Sequence, residues 1–196
     1  MPKLYAQNTS ATQIKKRYAM IGSTATQVKK RYAMIGSTAT LVYSAEEQIY
    51  PGATVKSLQA NSGSYSTANF KTNVTSSSSN QNSTTLYIAV DVTDYKTIKV
   101  TGNFTVSGGT FAHAGVFLLA PSKWNESYVQ YPYYMIVDSY YTQRKVVDSD
   151  ASFTTHSFNV SSLTGTYYIA IGCYVNSTGG SRTASAQITG ITAEPS

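Results

Sequence analysis

Charge is scarce in this chain of 196 residues: Asp, Glu, Lys and Arg together make up 12% of it. Leu and Glu, the common helix builders, are also few, which lowers the expectation of long helices. No run of about 18 apolar residues occurs, so no segment reads as a membrane-spanning helix and no membrane partner is expected. The opening Met-Pro-Lys-Leu-Tyr leads into no apolar stretch of about 7–15 residues, so no secretory signal is expected. The single cysteine, Cys173, excludes an internal disulfide framework and fits synthesis in a reducing cytoplasm. Seven Asn-x-Ser/Thr triplets, beginning at Asn8, Asn73, Asn82, Asn103, Asn125, Asn159 and Asn176, then read as by-products of composition rather than as glycan acceptors.

Catalytic groups are thin as well. There are two histidines, His113 and His156, in different expected strands and with spacing that fits no zinc pattern. Cys173 sits in an apolar run where a small buried hydrophobe is the default. Asp148 and Asp150 read as turn residues. Asp91 and Asp94 could ligate calcium, but no oxygen-rich loop motif surrounds them, and solvated strand ends are the simpler reading. No catalytic residue, metal or cofactor is therefore expected: the chain reads as a non-enzyme.

What the chain has instead is Ser, Thr, Asn, Gly and 17 tyrosines. Tyr, Thr, Val and Ile suit a pleated, half-buried surface, so the composition points to strands.

The few charges are placed unevenly. Residues 1–40 hold seven basic groups and no acidic one, a net +7, whereas residues 41–196 hold eight basic and nine acidic groups, a net −1. The same basic stretch is repetitive. Thr12 to Ala25 reads TQIKKRYAMIGSTA and Thr26 to Ala39 reads TQVKKRYAMIGSTA, with a degenerate copy at Lys3-Leu4-Tyr5-Ala6 and a truncated one at Thr40-Leu41-Val42-Tyr43. A 14-residue period is too short for a helical solenoid but suits two strands and a Gly-Ser-Thr turn, one hairpin step per repeat. Such a ribbon buries little by itself and needs a partner.

Residues 1–43 are thus expected to be an attachment arm carried by Lys3, Tyr5, Lys15, Lys16, Arg17, Tyr18, Lys29, Lys30, Arg31 and Tyr32. The basic groups can dock on an acidic surface. They can also simply keep an exposed edge soluble, or bind nucleic acid with Tyr stacking on bases. The neutral remainder of the chain argues against the last.

Tandem Lys-Leu-Tyr or Lys-Arg-Tyr units ending in a run like Thr-Leu-Val-Tyr resemble short repeats at the N-termini of bacteriophage structural accessory proteins, over residues 3–43. Those repeats usually carry Gly-Ser directly after the Tyr, where this chain has Ala-Met-Ile-Gly-Ser. The resemblance implies a virion component, either a capsid decoration or head fibre or a tail appendage, held to other virion proteins through residues 1–43. It would be made in the host cytoplasm and found in the virion. A homo-oligomer such as a trimer would cover the edges of the repeat.

Residues 44–83 read as a linker rich in Ser, Asn and Thr, although Tyr65 to Val74 could pack as an edge strand. From Leu86 onward strand signals recur: Leu86 to Val92, Thr97 to Val106, Ala114 to Ala120, Tyr133 to Asp138, Arg144 to Asp148, Ser152 to Val160, Thr166 to Val175 and Ala184 to Ala193. Their short, regular spacing predicts an all-β antiparallel sandwich or jelly roll over residues 84–196. The runs Asp94-Tyr-Lys-Thr-Ile-Lys-Val-Thr, Gly165-Thr-Tyr-Tyr-Ile-Ala-Ile and Ala186-Gln-Ile-Thr-Gly-Ile-Thr resemble the strand pattern of galactose-binding-like carbohydrate-binding modules. That resemblance implies the fold more than a function, since the fold hosts sugar binders and structural domains alike.

Within this body Trp124, Tyr128, Tyr131, Tyr133, Tyr134, Tyr140 and Tyr141 crowd together around Pro132. A loop from Ser122 to Pro132 with Trp124 at its tip would offer flat amphipathic rings to a host-surface glycan or another subunit. Cross-strand Tyr pairs that stiffen the sheet are the other reading.

Overall fold

A chain that repeats Met-Ile-Gly-Ser-Thr is invited to reverse at each Gly-Ser. The structure, a computed structural model, describes residues 18–196 apart from 22–23, 28–29, 36–37, 45, 59–62, 78, 110 and 177–179, and for 18–44 it describes the backbone alone. It divides into two compact units, one up to Glu47 and one from Gln48.

In the first unit β1 (Tyr18–Ile21) pairs antiparallel with β2 (Thr24–Gln27), and β3 (Lys30–Ile35) with β4 (Thr38–Ser44). Ile21 lies opposite Thr24 and Ile35 opposite Thr38. The register recurs too: Tyr18 pairs with Gln27, and Tyr32 with Leu41. Among the described residues each hairpin is its own two-stranded sheet. The degenerate copy around Tyr5 lies outside the described residues.

The second unit is a β-sandwich. Its strands are β5 (Glu47–Tyr50), β6 (Lys56–Ser57), β7 (Ser64–Ser66), β8 (Lys71–Ser76), β9 (Gln81–Asn82), β10 (Leu86–Asp91), β11 (Tyr95–Ser107), β12 (Ala112–Leu119), β13 (Gln143–Asp148), β14 (Ser152–Asn159), β15 (Thr166–Val175) and β16 (Arg182–Pro195). One sheet runs β13-β12-β15-β10-β6, with β9 on the end of β15. The other runs β14-β11-β16-β8-β7, with β5 on β16.

Part of residues 44–83, expected as a linker, therefore belongs to the sandwich, as β5 to β9. β8 pairs with β16 from Arg182 opposite Ser76 to Gln187 opposite Lys71, and β7 pairs with β8. The signal was weak because β8 buries only Thr72 and Val74 of its six residues. Thr72 and, farther on, Ser83, Thr84 and Thr85 are buried, and the hydroxyls of Thr72, Ser83 and Thr85 have partners. Thr72 Oγ1 donates to the Thr84 carbonyl (2.8 Å), Thr85 Oγ1 to the Val129 carbonyl (2.7 Å), and Ser83 Oγ accepts from the Cys173 amide (2.8 Å). Hydroxyls that find partners this way enter a core at little cost.

Alternation places the main core. β11 turns Ile98, Val100, Phe104 and Val106 inward, with exposed residues between them. β16 does the same from Ala184 to Ile188 and, after a change of phase, from Ile191 to Ala193. Against these lie Leu86, Ile88 and Val90 of β10, Ala114, Val116 and Leu118 of β12, and Ile169, Ile171 and Cys173 of β15. Gln143 ties the two sheets at one edge: its amide donates to the Asn159 carbonyl (2.5 Å) and accepts from the Asn159 amide (3.2 Å).

β12 and β15 are buried on both faces, which is why they read as near-continuous apolar runs. Their outward residues Phe117, Leu119, Ala170 and Tyr174 join Val129, Met135 and Ile136 in a second cluster. The cover comes from residues 121–142: a 3-10 turn (Pro121–Lys123), α1 (Glu126–Val129) and α2 (Pro132–Ile136). The strand expected from Tyr133 is thus a helical turn. Pro132 occupies its first turn, where a fixed φ and a missing N–H are favourable. Pro132, Met135 and Ile136 then share the buried face at helical spacing.

Candidate functional site

The α1–α2 segment is held from every side. Asn125 caps α1 by accepting from the Ser127 amide (3.1 Å), and the Thr85 hydroxyl takes the Val129 carbonyl at its other end (2.7 Å). Asn82 Oδ1 accepts from the Tyr133 amide (2.8 Å), which ties the start of α2 to β9. The Arg144 guanidinium donates to the carbonyls of Met135 and Ile136 and lies 4.4 Å from the centre of the Tyr141 ring. Underneath, Gly115 and Gly172 are paired across β12 and β15. A Cβ on Gly172 would come within 2.5 Å of Pro132 Cγ, and one on Gly115 within 2.7 Å of the Phe117 ring. The two glycines form the floor on which Pro132 and Phe117 sit.

This seating brings three pieces of chain around one open cleft of about 400 Å³, lined by Asn80, Asn82, Tyr131, Tyr133, Tyr134, Tyr174 and Asn176. The rings meet mostly edge to face. Tyr133 stands 5.0 Å from Tyr174 at 66° and 5.4 Å from Tyr134 at 76°, and Tyr134 stands 6.2 Å from Tyr131 at 74°. Tyr134 continues outward to Tyr128 (5.1 Å, 89°) and Tyr140 (6.1 Å, 70°), which stack on each other at 4.7 Å. On the other side Tyr174 is parallel to His113 at 6.1 Å. Burial, and to a lesser degree Tyr133, raises the Tyr174 phenol above its ordinary value. Four rings and three amides supply flat apolar faces with donors and acceptors around them.

Of the expected aromatic contacts, Tyr131, Tyr133 and Tyr134 line the cleft and Tyr128 lies beside it, 38% exposed. Trp124 does not reach it and does not stand at a loop tip. Its ring stacks on Tyr168 at 4.0 Å and packs against Tyr87 at 4.5 Å, over the second cluster. Asn80, Asn82, Tyr174 and Asn176 were not singled out from the sequence. They reach the cleft through the pairing of β9 with β15, Tyr174 opposite Asn82, and no local motif announces a contact between residues so far apart in the chain.

The arm residues Lys3, Tyr5, Lys15, Lys16, Arg17 and Lys29 lie outside the described residues. Tyr18 falls in β1, and Lys30, Arg31 and Tyr32 in β3.

The groups that might have carried chemistry are separated. His113 is on β12 and His156 on β14, in opposite sheets, and burial holds both imidazoles below their ordinary value. Cys173 is fully buried, its thiol pushed far up by burial and 3.7 Å from the Thr72 carbonyl. Asp91 accepts from the Thr93 hydroxyl (2.6 Å) and amide (3.0 Å), which lowers its carboxyl below the ordinary value. Asp150 accepts from the amides of Gly108 (2.7 Å) and Gly109 (3.2 Å). Among the described residues no group of three or more His, Cys, Asp or Glu could hold a metal ion. A second cleft, of about 330 Å³ between Lys96, Thr97, Ser157, Asn159 and Ser161, has no ring in its lining.

Fold and cleft together define an all-β sandwich with an uncharged, aromatic groove on one outer face. No protein-family model matches the chain, and no curated protein matches it. Among solved structures it is similar to the carbohydrate-binding module TmCBM61 in complex with beta-1,4-galactotriose, at 11% identity and a TM-score of 0.36, over 77% of this chain and 87% of that one. It is similar to a CBM4 carbohydrate-binding module at 11% identity and a TM-score of 0.33, over 76% and 85%. It is also similar to a chain of infectious bursal disease virus, Gx strain, at 10% identity and a TM-score of 0.30, over 91% of this chain and 46% of that one. Likenesses of this size say nothing about a ligand; what the groove can bind follows from its own residues.

Proposed function

We propose that this chain is a non-enzymatic recognition protein of a bacteriophage particle, in which the sandwich binds carbohydrate through the Tyr–Asn groove and the basic repeat arm mounts it on other virion proteins. The observation that carries the carbohydrate reading is the groove: Tyr131, Tyr133, Tyr134 and Tyr174 beside Asn80, Asn82 and Asn176, on a rigidly held segment. Sugar rings present apolar C–H faces and a rim of hydroxyls. Aromatic faces take the first and carboxamides the second. A host-surface glycan is the natural ligand for a module displayed on a particle.

Support for the mount is the net charge of +7 on residues 1–40 against −1 on the rest. A charge so localised suits an acidic docking surface on capsid or tail. Several copies, as in a trimer, would cover the open edges of two-stranded sheets.

Two measurements test this. Soluble full-length chain is screened on a glycan array, with Tyr134→Ala expected to weaken every hit by about ten-fold, roughly 1.4 kcal/mol. Absence of any hit sinks the carbohydrate reading. Separately, deletion of residues 1–43 should leave a folded sandwich that no longer associates with particles; retained association would refute the mount. Particle association without glycan binding would favour a second reading, a capsid decoration or head fibre whose aromatic face meets another subunit.

A further inference from the structure

The groove has a charge character and a direction, and both narrow the ligand. Resting on the carbohydrate reading above, we infer that the groove and the neighbouring Tyr128–Tyr140 stack form one continuous site for an uncharged oligosaccharide bound along its length, without a metal ion.

The charge argument comes from what surrounds the rings. The cleft is lined by Asn80, Asn82, Asn176 and four tyrosines, with no Lys, Arg, Asp or Glu among them. Arg182, which reaches the Asn176 carbonyl, is turned to other work: Nε donates to the Gly108 carbonyl (3.1 Å), Nη1 to the Asn176 carbonyl (2.8 Å), and the guanidinium lies over the Phe111 ring. Its residue is only 7% exposed. Arg144 is likewise engaged at the end of α2. At the far end of the ring series burial and Tyr128 raise the Tyr140 phenol above its ordinary value, and the Asp138 carboxylate adds to the shift. A uronic acid or a phosphate-bearing glycan would thus lose water without meeting a matching cation, and would face a carboxylate at one end.

The carboxylates that give a bridging divalent cation most of its binding charge are missing from the cleft lining, and among the described residues no group of three or more His, Cys, Asp or Glu could hold a metal ion. A neutral sugar does not require such a cation.

The direction comes from the rings. Tyr174, Tyr133, Tyr134 and Tyr128 follow one another with centre-to-centre steps of 5.0, 5.4 and 5.1 Å. They continue beyond the cleft lining, since Tyr128 and Tyr140 are outside it. The cleft is open rather than a closed pocket, and Tyr128 is exposed beside it. Such a path suits a chain running through and past the groove, not a single terminal sugar enclosed on all sides. Tyr134, in contact with Tyr131, Tyr133, Tyr128 and Tyr140, is the junction between the two parts.

The test uses affinity electrophoresis and calorimetry on the full chain, with neutral galactan, glucan and mannan against polygalacturonate and poly(glycerol phosphate). Their di- and trisaccharides serve as short probes. The expected result is binding of one or more neutral polymers only, unchanged by EDTA and by raised salt. Tyr128→Ala should lower affinity for the polymer about three- to ten-fold and that for the short probes by a smaller factor, whereas Tyr134→Ala should weaken both alike. Tyr134→Phe, which keeps the ring, controls for folding, and thermal melting of each variant reports on it directly.

Tighter binding of a charged polymer, or loss of binding in EDTA, would overturn the ligand class while leaving carbohydrate recognition intact. An unchanged polymer affinity in Tyr128→Ala would overturn the extended path alone. Failure of every glycan, neutral or charged, would instead be a failure of the carbohydrate reading itself.

Discussion

The two outer faces of the sandwich are opposites. On the sheet centred on β11 and β16 the outward residues Lys99, Thr101, Asn103 and Thr105 are exposed, as expected where one face of an antiparallel sheet meets water. On the sheet centred on β12 and β15 the outward residues Phe117, Leu119, Ala170 and Tyr174 are buried beneath the α1–α2 segment. Inward faces of both sheets are alike, so the difference is not needed to make a sandwich. It shows where this chain has departed from the minimal fold, and the departure carries the tyrosines.

The comparison breaks most visibly at Phe117. Phe117→Ala should destabilise the sandwich by about 3–5 kcal/mol, the usual cost of deleting a buried ring. Thr101→Ala on the bare face should change stability by no more than about 0.5 kcal/mol. Denaturant unfolding of the two variants measures both. Equal losses would mean that the α1–α2 cover does not pack as a second core.

A smaller effect is expected at the glycine floor. The Cβ of Gly172→Ala would sit 2.5 Å from Pro132 Cγ, part of a rigid ring. About 1–3 kcal/mol of overpacking follows, together with displacement of α2 and weaker glycan binding. Gly109→Ala is a poor control because its φ of +90° strains any side chain. Thr105→Ala, on the exposed face of β11, serves better. A Gly172→Ala variant with wild-type stability and binding would mean that α2 is not seated on the glycine pair.

The smallest effect is on pH dependence. His113 is held below its ordinary value by burial, partly opposed by Asp148, and His156 by burial with Lys145 adding to it. The unfolded chain therefore takes up protons more readily than the folded one. Stability should be full above a pH of about 6.5, the ordinary imidazole value, and decline as pH falls below it. His113→Gln should flatten part of that decline in melting curves recorded across the range; a melting temperature that rises on acidification through this window would contradict the assignment.

Much of the fold was legible because alternation is a local signal. The runs from Leu86, Thr97, Ala114, Arg144, Ser152, Thr166 and Ala184 all fall on strands of the sandwich. β8 was hidden since Thr72 and Val74 alone enter the core from a Ser/Thr/Asn stretch. α2 was misjudged for the opposite reason: Tyr133-Tyr134-Met135-Ile136-Val137 has the composition of a strand, and only Pro132 and the glycine floor beneath it select a helical turn.

The groove was half visible. Its tyrosines on α2 stand out by crowding, whereas Asn80, Asn82 and Asn176 look like any polar loop residues until β9 pairs with β15. Trp124, the most conspicuous ring in the sequence, turned out to be packing for Tyr87 and Tyr168. Its neighbours Pro121, Ser122 and Lys123 form a tight 3-10 turn that folds it back onto the sheet.

Carbohydrate recognition, as proposed, resides on the covered face, in the Tyr–Asn groove. The most direct test is an amide-resolved NMR titration of the full chain with the neutral glycan that an array selects. Shifts are expected to concentrate at Asn82, Tyr133, Tyr134, Tyr174 and Asn176, spreading to Tyr128 and Tyr140 with longer ligands. Shifts confined to Thr101, Thr105 and Ser157 on the bare face, with the groove silent, would contradict it.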